Sequence, residues 1–395
     1  MSMNTTPKGE RIHIALFGRR NAGKSSLINA ITGQDLAIVS DVLGTTTDPV
    51  YKAMEILPLG PVMLIDTPGL DDEGALGALR VEKTRETLAH TDFAVLVAAA
   101  GQALTPPEQA LIEELKARSL PYLIAYNKAD LQKERPPLPD GLYVSAKTGE
   151  GVEALKERLG EMAAGTKNEK KILADLVSPG DTVVLVIPID RAAPKGRLIL
   201  PQQQTLRELL DLHCRAVCCQ PEELPALFAA GGTVRLVVTD SQVFGKVAAV
   251  TPESVPLTSF SILFARYKGA LDGLIRGAKT LKTLKTGDRV LISEGCTHHR
   301  QCGDIGTQKL PAWIEEYSGA KPVFSFTSGG EFPQDLTGFS LILHCGGCML
   351  NAAEMQNRAR LAAQAGVPMV NYGVAIAQMQ GLLERSLRPV LKEKG

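Results

Sequence analysis

Gly18-Arg-Arg-Asn-Ala-Gly23-Lys24-Ser25 places two glycines, a lysine and a hydroxyl at the spacing G-x-x-x-x-G-K-[ST]. Those types at that spacing suit phosphate chemistry. The glycines let backbone N–H groups turn inward around phosphate oxygens, and a following helix adds its partial positive charge. Lys24 is placed to reach the outer phosphates and Ser25 to ligate Mg2+, with Asn21, Ala22 and Ser26 in the same loop. Asp66-Thr67-Pro68-Gly69 supplies a second magnesium carboxylate and a backbone N–H for the γ-phosphate. Thr46, within GTTTDP (44–49), is the expected sensor of magnesium and γ-phosphate. Asn127-Lys128-Ala129-Asp130 carries an aspartate able to accept both N1–H and the 2-amino group of guanine, which adenine cannot supply. Ser145-Ala146-Lys147 offers backbone to close over the base. Five such stretches in this order predict a GTP-binding, GTP-hydrolysing domain with Lys24, Thr46, Asp66 and Gly69 at its reactive end.

A second chemistry lies near the other end of the chain. Cys296-Thr-His298 and His344-Cys345-Gly-Gly-Cys348 together offer three thiolates and two imidazoles. Zinc accepts three thiolates and a histidine in a closed tetrahedral site. A 4Fe–4S cluster normally takes four thiolates, so three would leave one iron open to another ligand. A redox pair would need only Cys345 and Cys348 and would leave Cys296 unexplained. The residue types leave zinc and iron–sulfur level. Cys214, Cys218 and Cys219 read as small packing residues.

The elements that must position these groups follow from apolar patterning. RIHIALF (11–17) is a strand feeding the glycine loop, with SLINAIT continuing as a helix; VMLID and YLIAYN are further strands, each ending at a motif. GTKNEKK (165–171) reads as a linker. Beyond it, DTVVLVIPID (181–190) predicts a strand and TLRELLDLHCRAVC (205–218) a helix with Leu206, Leu209, Leu210, Cys214 and Val217 on one face. TVRLVVTD (233–240) predicts another strand, completing a small α/β unit without catalytic residues. From about 270, DRVLISEG, PVFSFTSG, FSLILHCGGC and VPMVNYG are strands, with MLNAAEMQNRARLAAQAG a helix before the last. Alternating strands and helices imply a parallel sheet whose binding loops gather at the strands' C-terminal ends. Both cysteine-bearing turns lie at such ends. GAKTLKTLKTGDR (277–289) reads as a short solvated stretch. The expected fold is α/β throughout, with domains at 1–166, 172–268 and 269–395.

Composition excludes several classes. Lys plus Arg and Asp plus Glu balance at 43 each, so no global field favours nucleic acid or an anionic membrane. Apolar residues make up 44% without a run of membrane-spanning length, and the first residues show no apolar signal core. Seven unevenly spaced cysteines argue against a secreted disulfide framework. A cytoplasmic protein is expected, with no membrane and no nucleic-acid partner.

Residues 10–165 resemble the translation-factor-like GTPases, closest to the tRNA-modification and ribosome-assembly group. That resemblance implies K+ held by Asn21 in place of a catalytic arginine. Leu70 stands where small GTPases carry the water-orienting glutamine, so hydrolysis is expected to be slow or to depend on K+, dimerisation or a partner. The acidic run Asp71, Asp72, Glu73 reads as a solvated loop.

The GTPase stretch joined through a small α/β unit to Cys296-x-His298 and His344-Cys345-x-x-Cys348 resembles the FeFe-hydrogenase maturation GTPases (HydF family) over essentially the whole chain. The resemblance implies a GTPase domain, a dimerisation domain and a C-terminal domain that binds a 4Fe–4S cluster through Cys296, Cys345 and Cys348. It further implies an exchangeable fourth ligand, for which His298, His344, Asp304 or water are candidates. By the same resemblance a homodimer carries a di-iron cargo, and its partners are apo FeFe-hydrogenase and radical-SAM maturation enzymes. Cys302 has no place in that pattern. The alternative is an RNA-modification or ribosome-assembly GTPase with a zinc-bound C-terminal domain.

Overall fold

The computed structural model describes residues 8–33, 48–70, 83–138, 141–166, 171–189, 198–295, 305–347 and 350–391. Thr46, the acidic run after Leu70, Cys296, His298, Cys302, Asp304 and Cys348 lie outside them. Two compact units divide the chain, residues 1–168 with 351–354, and residues 169–350 with 355–395.

The first unit is built on one sheet of order β2-β3-β1-β4-β5-β6. Its strands are β1 (Ile12–Phe17), β2 (Val50–Ile56), β3 (Gly60–Asp66), β4 (Phe93–Ala99), β5 (Tyr122–Asn127) and β6 (Gly141–Tyr143). Only β2 runs antiparallel, against β3. Continuous apolar runs such as FAVLVA in β4 are buried on both faces, which is what a parallel sheet covered by helices requires. One face packs Ile14, Leu16 and Val95 against Leu27 and Ile28 of the helix Lys24–Thr32. The other packs Ala15, Phe17 and Leu96 against Leu111 and Leu115 of the helix Pro106–Ala117. Thr105 and Glu108 close the start of that second helix by a reciprocal cap.

Two all-parallel sheets form the second unit. The first has order β10-β9-β7-β8, from β7 (Thr182–Val186), β8 (Arg215–Cys219), β9 (Leu236–Thr239) and β10 (Leu257–Ser259). The other has order β12-β11-β13-β14, from β11 (Arg289–Glu294), β12 (Val323–Ser328), β13 (Leu341–His344) and β14 (Met369–Asn371). One continuous apolar core serves both sheets, running from Ile172 and Val183 through Phe260 and Leu274 to Ile342 and Val374.

Two local expectations are corrected. The stretch 205–218 is not one helix: the helix is Leu200–Asp211, and 215–219 is the strand β8. His213 adopts φ +56°, a left-handed residue that ends the helix, and Arg215 N–H then bonds the Asp181 carbonyl to start the strand. Leu210 and Val217, expected on an apolar stripe, are exposed. Cys214 is buried as packing requires, with its thiol on the Ser178 carbonyl at 3.2 Å.

The stretch 277–289 is also not simply solvated. It completes the helix Leu271–Thr280, whose Leu271, Leu274 and Ala278 continue into buried Leu281 and Leu284. Gly277 lies so close to β14 that a Cβ there would stand 2.0 Å from the Met369 carbonyl oxygen. The helix docks on the strand because that residue has no side chain. No described helix is long and apolar enough to cross a membrane.

Candidate functional site

In the first unit the motifs converge because each follows the C-terminal end of a parallel strand. The glycine loop follows β1, beside the point where β3 and β4 diverge to its two sides. Asn21 takes φ +59° and Gly23 φ +92°, so the loop curls before the helix begins at Lys24. Lys24 Nζ, buried, donates to the carbonyls of Gly18 and Arg19 at 2.9 Å each. It is thereby held over the concave side of the loop. Leu70 N–H reaches the Gly18 carbonyl at 3.3 Å, which brings Gly69 to the same loop.

Ser25 Oγ donates to Asp66 Oδ2 at 2.5 Å. Asp66 Oδ1 is buried without a hydrogen-bond partner. Burial raises the Asp66 pKa, opposed by the Ser25 hydrogen bond and by the charges of Lys24 and Lys52. A buried oxygen with an unused lone pair beside a serine hydroxyl fits Mg2+. Ser25 and Asp66 would hold it, and the bound ion would neutralise phosphate charge during transfer.

The base end is equally ordered. Asn127 is buried, donating from Nδ2 to the Ala22 carbonyl at 2.9 Å and accepting at Oδ1 from Ala146 N–H at 3.0 Å. One side chain therefore ties the phosphate loop to the Ser145-Ala146-Lys147 turn. Lys128 sits at φ +66°, and Ser145 Oγ donates to Asp130 Oδ1 at 2.7 Å. A cleft of ≈ 730 Å³ is lined by Gly23, Ser26, Asn127, Lys128, Asp130, Ala146 and Lys147, so it gathers the loop and base-reading residues. Lys52, not singled out in the sequence, puts a buried, unpartnered Nζ in reach of the Asp66 charge. The alternation of VYKAMEI carries no hint of that.

In the second unit β11 and β13 are neighbours, with Ser293 opposite His344. That register brings Gly295, the residue before Cys296, onto the Cys345 thiol: Gly295 N–H donates to Cys345 Sγ at 3.0 Å. Gly347 N–H reaches the same sulfur at 3.4 Å. Two backbone donors thus converge on one sulfur. Lys268, not singled out in the sequence, donates to the carbonyls of Gly347 and Leu350. Glu294, a buried carboxylate hydrogen-bonded by Tyr372 at 3.3 Å, ends β11 at the same edge. Among the described residues no three His, Cys, Asp or Glu side chains converge as a metal site.

His344, one of the candidate fourth ligands, is held from both sides in the fold. It is 0% exposed, and both ring nitrogens are engaged: Nδ1 with the Cys345 carbonyl at 2.7 Å, Nε2 with Arg358 Nη1 at 2.9 Å. Burial first, then the Arg358 charge, push its pKa down to about 3. Both ring nitrogens are thus engaged within the chain.

Comparison with known proteins bears on each unit. The tRNA modification GTPase MnmE of Chromobacterium violaceum is 39% identical over 159 residues, covering 39% of this chain and 35% of the relative. MnmE of Nitrosospira multiformis is 36% identical over 162 residues, again 39% of this chain and 35% of its own length. The chain thus spans about a third of the length of these curated relatives. Era of Aquifex aeolicus, bound to GDP and aluminium fluoride, superposes with TM-score 0.35 at 19% identity, covering 52% of this chain and 91% of that one. The G domain of the T. maritima FeoB iron transporter gives TM-score 0.30 at 27% identity, covering 39% and 99%.

Among family models, residues 13–128 match the 50S ribosome-binding GTPase. Residues 172–269 match the hydrogen maturase F dimerization domain and residues 272–389 its tetramerization domain, together more than half of the chain. The chain belongs to the hydrogen maturase F family. This hydrogen maturase F family member carries a GTPase domain suited to GTP and Mg2+, followed by domains matched to dimerization and tetramerization. The last match widens the expected homodimer: the cysteine-bearing sheet of the maturase lies within a domain that takes its description from tetramer formation.

Proposed function

We propose that this hydrogenase maturation GTPase hydrolyses GTP and acts as a scaffold and carrier. It holds a 4Fe–4S cluster on Cys296, Cys345 and Cys348 and delivers a di-iron precursor to immature FeFe-hydrogenase in the cytoplasm. The observation that carries this reading is the Cys345 sulfur, which accepts N–H groups from Gly295 and Gly347 at 3.0 and 3.4 Å. Anionic cluster thiolates are stabilised by such donors, and the β11–β13 register puts Gly295, which precedes Cys296 in the chain, beside Cys345. A cluster on three cysteines supplies an iron with an exchangeable site. The chain's own part is to anchor the sulfurs and surround them with amide dipoles.

On the GTPase side, Lys24 and the loop amides bind phosphate, Ser25 and Asp66 hold Mg2+, and Asp130 selects guanine. Thr46 completes the magnesium site and Asn21 holds K+ in place of a catalytic arginine, while Leu70 leaves the water-orienting glutamine position empty of a polar group. The second reading is an RNA-modification or ribosome-assembly GTPase with a zinc-bound C-terminal domain; the MnmE relatives support its GTPase part alone, over the 39% of the chain they cover.

The test is anaerobic reconstitution of the full chain and of Cys296→Ala, Cys345→Ala and Cys348→Ala. Brown protein with iron uptake lost in each variant, and GTP turnover kept, is the expected result. Zinc at one per chain without iron uptake would replace the carrier reading with the second one.

A further inference from the structure

Arg358, in the helix Ala352–Gln364, has no part in the roles above, yet it is a guanidinium only 2% exposed. Its Nη1 donates to His344 Nε2 at 2.9 Å and to Ser293 Oγ at 3.4 Å, its Nη2 to the Gly329 carbonyl at 3.0 Å, and it lies over the Phe332 ring at 5.0 Å. A guanidinium carries donors and no acceptor, so His344 Nε2 must be the acceptor. The ring proton then sits on Nδ1 and donates to the Cys345 carbonyl at 2.7 Å.

Two of the residues that Arg358 touches, Ser293 and His344, also hold the Cys345 backbone. Ser293 accepts the Cys345 N–H through its carbonyl at 2.9 Å, and His344 holds the Cys345 carbonyl. Fixing that carbonyl fixes the peptide plane leading into Gly346, and with it the approach of Gly347 N–H to Cys345 Sγ. We propose that Arg358 is a positioning residue for the cysteine turn: it locks His344 as the Nδ1–H tautomer, and His344 serves as a strut for Cys345 rather than as a ligand. The inference rests on the cluster reading for its purpose, while the lock itself is a property of the metal-free chain. A buried cation behind an anionic centre also stabilises the reduced cluster, so its removal lowers the reduction potential.

The experiment uses full-length protein with 15N-labelled histidine, first metal-free at one fixed pH. Wild type and Arg358→Lys are expected to show His344 protonated at Nδ1 only, and Arg358→Met a mixture of both tautomers. After anaerobic reconstitution, His344→Asn is expected to keep wild-type iron content and electron paramagnetic resonance line shape. Its amide places an N–H where Nδ1–H stands. His344→Gln, whose amide falls at the Nε2 position, is expected to keep the iron but shift the line shape. Arg358→Met is expected to shift the potential downward. If Arg358→Met does not fold, Arg358→Lys and the two His344 variants carry the comparison.

An Nε2–H tautomer in wild type overturns the proposal. So does nitrogen hyperfine coupling to the cluster that vanishes in His344→Asn, because it would make His344 a ligand. A wild type that takes up no iron but shows the Nδ1–H tautomer overturns the cluster reading and leaves the lock on the turn supported.

Discussion

Asp130 Oδ1 accepts the Ser145 hydroxyl at 2.7 Å, which holds the carboxylate ready for a guanine edge. Asp130→Asn removes an acceptor for two charge-assisted hydrogen bonds, each worth roughly 1.5–3 kcal/mol. GTP affinity should fall about 100-fold, with xanthosine triphosphate bound in its place. Competition of both nucleotides against a fluorescent GDP analogue checks this. Gly23→Ala acts at the other end of the same cleft. At φ +92° its Cβ would stand 2.2 Å from Asn127 Nδ2, the group that ties the phosphate loop to the base loop. Backbone strain of roughly 1–3 kcal/mol plus loss of that tie should weaken nucleotide binding at least about tenfold. The same titration should show it, with the circular dichroism spectrum unchanged.

At the scale of elements, the start of the second unit hangs on one side chain. Glu208, on the helix Leu200–Asp211, accepts the N–H groups of Ile172, Leu173 and Ala174 at 2.9–3.1 Å. Glu208→Ala leaves three donors to find other partners and should cost roughly 2 kcal/mol, read as a lower urea midpoint with unchanged slope. β8 is the open end of its sheet. Arg215 and Cys219 turn their polar groups to β7, so by alternation Ala216 and Cys218 face outward, beside exposed Val217. In a domain matched to a dimerization family that edge is the expected self-pairing strand. Cys218→Pro removes an outward N–H, and light scattering should then show smaller assemblies. Unchanged mass would move the interface elsewhere.

For the whole molecule, the shared apolar core of the two later sheets has a direct consequence. Arg385, near the chain's end, donates to the carbonyls of Ala248, Thr251 and Pro252, and Phe260, Leu274 and Val374 belong to one core. Cutting at 269 would expose several large side chains at about 1.5–3 kcal/mol each, against the 5–15 kcal/mol that stabilises a typical domain. Residues 172–268 alone should therefore aggregate or melt early, whereas 171–391 should unfold in one transition. Calorimetry of both fragments decides it. Residues 1–168, with their own two-faced core, should bind GTP unaided.

The nucleotide motifs were legible in the sequence because their chemistry is local: a strand, a few loop residues and a helix start suffice to aim backbone amides and one side chain. The parallel sheets were legible as well, since buried strands must read as continuous apolar runs such as VVLV and LILH. Other features depended on partners far along the chain. Val217 and Cys218 continue a helical apolar spacing, yet a left-handed His213 and an open edge on β7 made them a strand. The lysine-rich run after 277 gave a solvated impression because its stripe, Leu274, Ala278, Leu281 and Leu284, finds its complement only in the folded core. That Arg358, far along the chain, reaches the Nε2 of His344 at 2.9 Å could not be read from the spacing beside Cys345. Residue type and spacing determine what a side chain can do; the tertiary neighbours determine which of those capacities is already used, because each lone pair and each N–H can be satisfied only once.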